Sequence, residues 1–433
     1  MENSGKKKSG LFGWYFNTNL LVRILIALVL GALAGIIFQE KILWIQPLGQ
    51  IFIRLLFMIM VPVIFSTLVV GAASVSPKQL GKVGVRVMLI YVLTSFVAVG
   101  TGLLAGSIFR PRVNLGSIAD FGEYAGKASE APPLSETFLN IIPTNIVDFV
   151  ARQQLLGIIF FTLCFGTAIA ILRETGNERT KNAAETVFNF FDGCAEIIIK
   201  MVKGIMEYAP VGVFALIAHV FATAGARVVG GLAMVVVTTF SAYLFYIVVW
   251  YLLICVKLIG GLSIRRFIVG AKEAFITGFV TRSSAACLPV TMQCAEKIGL
   301  PRDVYSFALP LGANINMDGT AIYQGTAVMF MTFSVWGQGL SASQMVIVLI
   351  MSTLATIGTA GVPGGGALML LMVLTQLGLP VEAGTAAAAA YAMILGIDAL
   401  LDMGRTGINV VGDLVYLSAL TKRMGTLDIT KWR

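Results

Sequence analysis

The sequence predicts an all-α integral membrane protein, and three observations carry that reading. The chain is 57% hydrophobic and only 12% charged, about half the charge density of soluble domains. Its mean hydropathy is +0.88. Its apolar residues come in long runs, not short alternating segments, so helices and not a closed barrel must satisfy the backbone in lipid.

Residues 20–38, 51–73, 87–109, 158–172 with its lead-in and 232–259 reach or approach the ~20 residues that cross a bilayer. The Lys6-Lys7-Lys8 triplet, the apolar stretch and Ala32-Leu33-Ala34 look like a signal peptide. Arg23 sits inside that stretch, however, and the run continues through Ile36, Ile37 and Phe38. An uncleaved first span is therefore expected. Pro62 and Pro143 predict kinks in the second and fourth spans, and the polar stretch 173–185 predicts a loop.

The net charge of +9 is distributed by topology. Basic residues flank the first span (the lysine triplet, Arg23), follow the second (Lys78, Lys82, Arg86) and follow the fourth (Arg173, Arg179, Lys181). Lys422, Arg423, Lys431 and Arg433 end the chain. This positive-inside pattern puts both termini in the cytoplasm and the mixed-charge segment 112–136 outside. It also accounts for the basic excess without nucleic acid. Cys164, Cys194, Cys255, Cys287 and Cys294 are odd in number and have no metal-ligand spacing, so they read as buried free thiols. His219 is the only histidine. It reads as a packing residue, and its solitude excludes most zinc chemistry and a His-based triad.

The last third, 267–420, is apolar but broken by glycine, proline and polar clusters, and shows a weak internal duplication. An arm over 267–280, a tip Thr281-Arg282-Ser283-Ser284-Ala285-Ala286-Cys287 and a second arm are followed by a polar-spotted helix over 306–335. The plan then repeats, with arms 345–354 and 367–377 around Gly358 to Gly366 and a final helix over 383–420. Each arm is too short to span, so each pair reads as a re-entrant hairpin ending near mid-membrane. Unwound backbone survives there only beside an enclosed cavity. Paired interrupted segments in two repeats point to a transporter binding site. The glycine tip is not a phosphate loop, because no Lys-Ser/Thr follows it.

Asp402, Arg405, Asn409 and Asp413 fall three, four and four residues apart on the final helix, so they share one face, which Asp398 extends. Charges at that depth cost at least a few kcal/mol and mark a substrate or ion path. Arg405 is a bidentate donor for a carboxylate, Asp402 can accept from an ammonium, and Asn409 can donate to a second carboxylate. Together they match an aspartate- or glutamate-like solute. The alternative is a self-satisfied ion pair of Arg405 with Asp402 or Asp398 that only fixes structure. Asp413 with Asn316 offers hard oxygens to a small cation. Asp318, on a different side of its segment, could serve a second ion with the hydroxyls of Thr94 and Ser95. An intramembrane aspartyl protease built on Asp318 and Asp402 is disfavoured, since its carboxyls must share a proton while Arg405 holds Asp402 ionised.

Arg282-Ser283-Ser284, Asn316-Met317-Asp318-Gly319-Thr320, Gly361-Val362-Pro363-Gly364 and Asp402-Met403-Gly404-Arg405-Thr406 with Asn409 and Asp413 carry a resemblance over essentially the whole chain. It resembles the glutamate transporter family (dicarboxylate/amino acid:cation symporters), particularly its archaeal and bacterial sodium–aspartate branch. The resemblance implies eight spans and two re-entrant hairpins in inverted repeats, assembled as a homotrimer in the inner (plasma) membrane. It divides the chain into scaffold (1–80 and 112–225) and a transport domain (81–111 and 226–433) that slides as an elevator, with the second hairpin as gate.

It further implies that Arg405 and Thr320 hold the side-chain carboxylate. Asp402 and Thr406, with carbonyls of Arg282 and Val362, take the ammonium. Asn409 and the Ser283-Ser284 tip bind the main carboxylate, and the Gly366 backbone closes the gate. One sodium falls to Gly312, Asn316, Asn409 and Asp413. A second falls to Met317 with carbonyls of Asn314, Thr356, Ile357 and Thr359, and a third to Tyr91, Thr94, Ser95, Asn316 and Asp318. Gln324 stands where mammalian relatives carry a proton-carrying glutamate. The expectation is a sodium-coupled symporter of acidic amino acids, with no organic cofactor, embedded in membrane lipid. A proton-coupled glutamate or C4-dicarboxylate carrier of the same fold is the alternative.

Overall fold

A computed structural model describes residues 18–74, 77–110, 115, 139, 142–357, 361, 364–379, 381–382 and 385–432. Thr359, Val362 and the segment expected outside the membrane, 112–136 apart from Leu115, fall beyond these residues. The described chain is helical throughout. Helices α1 (Leu20–Phe38) and α2 (Gln46–Ala73) flank a 3-10 turn. Next come α3 (Pro77–Ile108), a short α4 (Ile146–Ala151), α5 (Leu155–Arg173) and α6 (Glu178–Ala224). Helix α7 (Arg227–Phe245) continues as a π-helix over Tyr246–Ile259. A first pair, α8 (Ile264–Thr281) and α9 (Ser284–Lys297), precedes α10 (Arg302–Ile315) and α11 (Asp318–Trp336). A second pair, α12 (Ala342–Ile357) and α13 (Gly365–Gln376), precedes α14 (Ala386–Met424) and a terminal turn, Ile429–Trp432.

Five described helical stretches are long and apolar enough to cross a membrane. They are not equally interior. Only 28% of the most apolar window of Leu20–Ala73 is buried, against 89% for α14. Leu30, Ile37, Leu93, Leu104 and Ile108 lie exposed on the outer helices, where an apolar surface is stable only in an apolar solvent. Helices α1, α2 and α5 pack with α6, α3 packs on α11, the first pair packs on α14, and the second pair packs mainly on α3 and α11. The apolar envelope thus surrounds a helix that carries charge.

Four expectations need correction. Only residues 174–177 of the stretch 173–185 form a loop; the rest is helical. Asn177 accepts from the amides of Arg179 and Thr180 and starts α6 there, and Arg173 pairs with Glu185 at 2.6 Å across the short turn. Glu196, Lys200, Lys203 and Glu207 interrupt the apolar residues of α6, which hides this 47-residue helix from a search for apolar runs. Pro143 precedes α4 in an irregular stretch and bends no span. The single helix expected over 306–335 breaks at Asn316 and Met317, whose backbones leave helical geometry (φ −101°, ψ 92° and φ −125°, ψ 63°). Finally, Cys255, Cys287 and Cys294 are buried, but Cys164 is exposed and Cys194 half-buried. His219 sits half-buried within α6, as a packing residue would.

Candidate functional site

Helix α14 enters the interior with Asp398, Asp402, Arg405, Asn409 and Asp413, each no more than 8% exposed. Two helix tips and one helix break meet it. At the first tip, Arg282 ends α8 in the left-handed region (φ 54°), donating its backbone N–H to Gly278. Ser283 then turns extended and caps α9: its hydroxyl oxygen accepts from the Ala286 amide at 3.2 Å. The same hydroxyl donates to the Gly361 carbonyl at 2.8 Å, so the two tips touch. At the second tip Gly364, at φ 84°, adopts a conformation few side chains tolerate. Its amide donates to Asp402 at 3.4 Å.

Between these parts lies a cavity of ≈ 10 Å³, lined in part by Arg282, Ser284, Thr320, Gly366, Arg405 and Asn409. That is room for about one water, so the site is contracted around its own charges. Arg405 Nη2 pairs with Asp402 Oδ1 at 2.7 Å and Nη1 with Asp398 Oδ1 at 3.3 Å. Its guanidinium also lies 4.7 Å from the centre of the Tyr323 ring. The self-satisfied pair is thus what the contracted site contains. The Thr406 hydroxyl donates to Asp402 Oδ1 at 3.2 Å. Asn409 is shared: its carbonyl oxygen accepts from the Gly319 and Thr320 amides at 2.8 and 3.3 Å, serving the free N–H groups at the start of α11. Its amide nitrogen donates to Thr320 Oγ1 at 3.2 Å. A side chain at Gly366 would run into the Arg405 guanidinium.

The break between α10 and α11 builds a second polar centre. Asn316 Nδ2 donates to Asp413 Oδ1 at 2.9 Å, and a side chain at Gly312 would strike the Asp413 carboxylate. Asp318 points elsewhere, towards Tyr246, Tyr251 and Tyr416. Three buried oxygens among the expected cation ligands, Ser95 Oγ, Asn316 Oδ1 and Asp318 Oδ1, accept from no group among the described residues. An acceptor left so costs about 1–3 kcal/mol, unless something positive occupies the space. Tyr91 donates to the Ala308 carbonyl at 3.3 Å and Thr94 to that of Tyr91 at 3.1 Å.

The remaining expected ligands scatter more. Met317 lines the central cavity and Thr356 is buried, its hydroxyl donating to Thr353 at 2.7 Å. Ile357 ends α12. Asn314 turns its side chain back onto the Pro310 carbonyl at 3.1 Å. It lines a separate crevice of ≈ 450 Å³ between α2, α6 and α10, with Asp192 and Glu196. The aromatic partners Tyr246, Tyr251 and Tyr416 escaped the sequence reading. Tyr416 carried a signal, since it continues the α14 stripe three residues past Asp413.

An apolar helical envelope around a charged, narrow cavity between two helix tips fits a membrane transporter. A model of the Sodium:dicarboxylate symporter family matches residues 20–423, and the chain belongs to that family. It is 36% identical over 419 residues to the "Proton/sodium-glutamate symport protein" of Bacillus caldotenax, covering 94% of this chain and 95% of that one. It is 34% identical over 421 residues to the "Proton/glutamate-aspartate symporter" of Escherichia coli, covering 93% and 92%. It is 28% identical over 419 residues to the "C4-dicarboxylate transport protein" of Bacillus subtilis, covering 95% of each. The family and these relatives are transporters, and the chain is a multi-pass membrane transporter, not an enzyme.

Proposed function

We propose that the protein takes up acidic amino acids, L-aspartate foremost, by symport with sodium. The observation that carries this is a charge imbalance. Among the described residues, Asp318, Asp398, Asp402 and Asp413 are buried with two buried guanidinium groups near them, Arg282 and Arg405. Buried charge is tolerable only when paired, and an acidic substrate deepens the excess, so it must enter with cations. The unpaired oxygens of Ser95, Asn316 and Asp318 suit a hard metal cation, whereas a proton would need no such ring of acceptors.

In this reading Arg405 leaves Asp398 and Asp402 for the substrate side-chain carboxylate, joined by Thr320. Asp402 and Thr406, with carbonyls of Arg282 and Val362, receive the ammonium. Asn409 and Ser284 take the main carboxylate. Cations at Gly312, Asn316, Asn409 and Asp413, at Met317 with the carbonyls of Asn314, Thr356, Ile357 and Thr359, and at Tyr91, Thr94, Ser95, Asn316 and Asp318 offset the charge. A cavity of ≈ 10 Å³ cannot admit an amino acid, so a tip must withdraw. The second pair is the mobile gate, and the pairs are re-entrant hairpins. Eight spans, a homotrimer, an elevator movement of 81–111 with 226–433, and cytoplasmic termini complete the proposal. Cations that prefer the closed, loaded site couple to substrate by linkage.

A proton-coupled glutamate or C4-dicarboxylate carrier is the second reading, favoured by the names its relatives bear. Uptake of labelled aspartate into proteoliposomes, under either an imposed sodium or an imposed proton gradient, separates the two. Sodium-driven accumulation, inhibited by glutamate more than by succinate, is expected. Accumulation driven by protons alone, or equal inhibition by succinate, would overturn the assignment.

A further inference from the structure

We infer that Tyr416 and Tyr251 are positioning residues for a cation at Asp318, locking one carboxylate oxygen so that the other faces the ion. This rests on the reading of Asp318 as a sodium ligand. Both phenols address the same atom: Tyr416 donates to Asp318 Oδ2 at 2.5 Å and Tyr251 at 2.8 Å, the shorter of two contacts for Tyr251, whose hydroxyl also stands 3.3 Å from the Ile408 carbonyl. Nothing among the described residues donates to Oδ1. A buried carboxylate merely being satisfied would have its donors spread over both oxygens. Here they are stacked on one, and Ser95 Oγ and Asn316 Oδ1, of the same expected cation set, are likewise unpartnered among the described residues.

The aromatic set is itself ordered. Trp250 Nε1 donates to the Tyr416 oxygen at 3.2 Å, which leaves the Tyr416 proton to Asp318. Tyr246 plays a lesser part. Its one proton lies within reach of the Thr94 carbonyl at 3.1 Å, the Tyr416 oxygen at 3.2 Å and Asp318 Oδ2 at 3.3 Å, and serves one at a time. The rings of Tyr251 and Tyr416 cross edge-on with centroids 5.7 Å apart, so each restrains the other's tilt.

The backbone explains how two of these residues reach one carboxylate. Tyr246 and Tyr251 are five residues apart. On an α-helix they would diverge by about 140°. Over Tyr246–Ile259 the helix is wound as π, whose i→i+5 bonding brings residues five apart nearly into line. Their ring centroids stand 5.0 Å apart. Extended π-winding is rare and frequent at functional sites. Here its local effect is to put the hydroxyls of Tyr246 and Tyr251 on Asp318.

The test is sodium binding to purified, substrate-free protein, followed by intrinsic tryptophan fluorescence and by calorimetry at constant ionic strength with choline as replacement. Removing the shorter, charge-assisted bond in Tyr416→Phe should raise sodium half-saturation about tenfold. Tyr251→Phe should act in the same direction, and Tyr246→Phe less. Aspartate affinity measured at saturating sodium should change far less than the sodium half-saturation, which separates positioning from general damage and confirms folding. In an Asp318→Asn background, Tyr416→Phe should add no further shift. If Tyr416→Phe and Tyr251→Phe both leave sodium binding unaltered, or if their effect persists without the Asp318 carboxylate, the positioning role is refuted while sodium coupling stands. If wild-type protein shows no response to sodium, the functional reading falls and this inference with it.

Discussion

The two helix pairs occupy equivalent places in the duplicated half, yet they are tied down differently. The first pair, α8–α9, is fastened at its base. Trp432 Nε1 donates to the Ile298 carbonyl at 2.6 Å and its ring stacks on Phe267, centroids 6.5 Å apart. Lys431 reaches the Glu296 carbonyl at 2.7 Å and the Asp428 amide the Gly299 carbonyl at 3.0 Å. None of these contacts involves the binding cavity. The second pair, α12–α13, has its polar ties at the tip end: Gly361 to Ser283, Gly364 to Asp402 and Ala367 to Tyr391. The Ser283–Gly361 bond is common to both tips, but among the described residues only the second pair bonds Asp402 directly, so its hold answers to that carboxylate while the first pair keeps its fastening at the base. A ligand that redirects Asp402 changes only the second pair's hold, and this is the property a gate requires.

The sharpest way to break that contrast is to remove the counter-charge. Arg405→Ala leaves Asp398 and Asp402 buried without their partner, which costs about 3–5 kcal/mol. Aspartate uptake should vanish and the melting temperature fall. Retained aspartate affinity would show that Arg405 serves structure alone. Gly366→Ala comes next. The added methyl meets the Arg405 guanidinium, and in the proposed cycle it would obstruct both the release of Arg405 to substrate and the gating movement of α13. Aspartate affinity should drop about tenfold or more, equivalent to about 1.4 kcal/mol, and the melting temperature should fall as well, though less than in Arg405→Ala, because the methyl displaces a guanidinium held by Asp398 and Asp402; equilibrium binding and a melt would record both.

Much of this contrast was legible in the chain itself. The spacing of Asp402, Arg405, Asn409 and Asp413 fixes one face whatever surrounds it, and the Ser283 and Gly364 tips follow from capping chemistry and from a glycine's tolerance of positive φ. What the chain did not disclose depends on partners distant in sequence. The break at Asn316 lies in a stretch whose composition reads as continuous helix; its amide reaches Asp413, 97 residues away. Tyr246 and Tyr251 would face apart on an α-helix and come together only through the π-winding. The polar start of α6 is stabilised by Asn177 and by Arg173 of the preceding helix, contacts that no apolar count records. The terminal clamp likewise joins residues more than a hundred positions apart.

That clamp supplies two smaller predictions. Trp432→Ala removes one hydrogen bond and a half-buried ring, and should cost about 1–3 kcal/mol. Amide exchange should accelerate at the base of α8–α9 and stay unchanged in α12–α13; acceleration in both would mean that the pairs are not independently held.

The smallest effect concerns pH. Hydrogen bonds from the Thr430 hydroxyl and amide, at 2.6 and 3.0 Å, hold the Asp428 carboxyl below the usual carboxylate range. A carboxylate lowered on folding stabilises the fold above its unfolded value, near pH 4, and that contribution fades as pH falls through the folded one. The terminal turn should accordingly loosen only in acid, with exchange over 428–432 rising relative to the rest of the chain. Asp428→Asn should flatten that dependence. Since the group is fully exposed, the change should remain confined to the turn, and α12–α13, which makes no contact with it, should not respond at all.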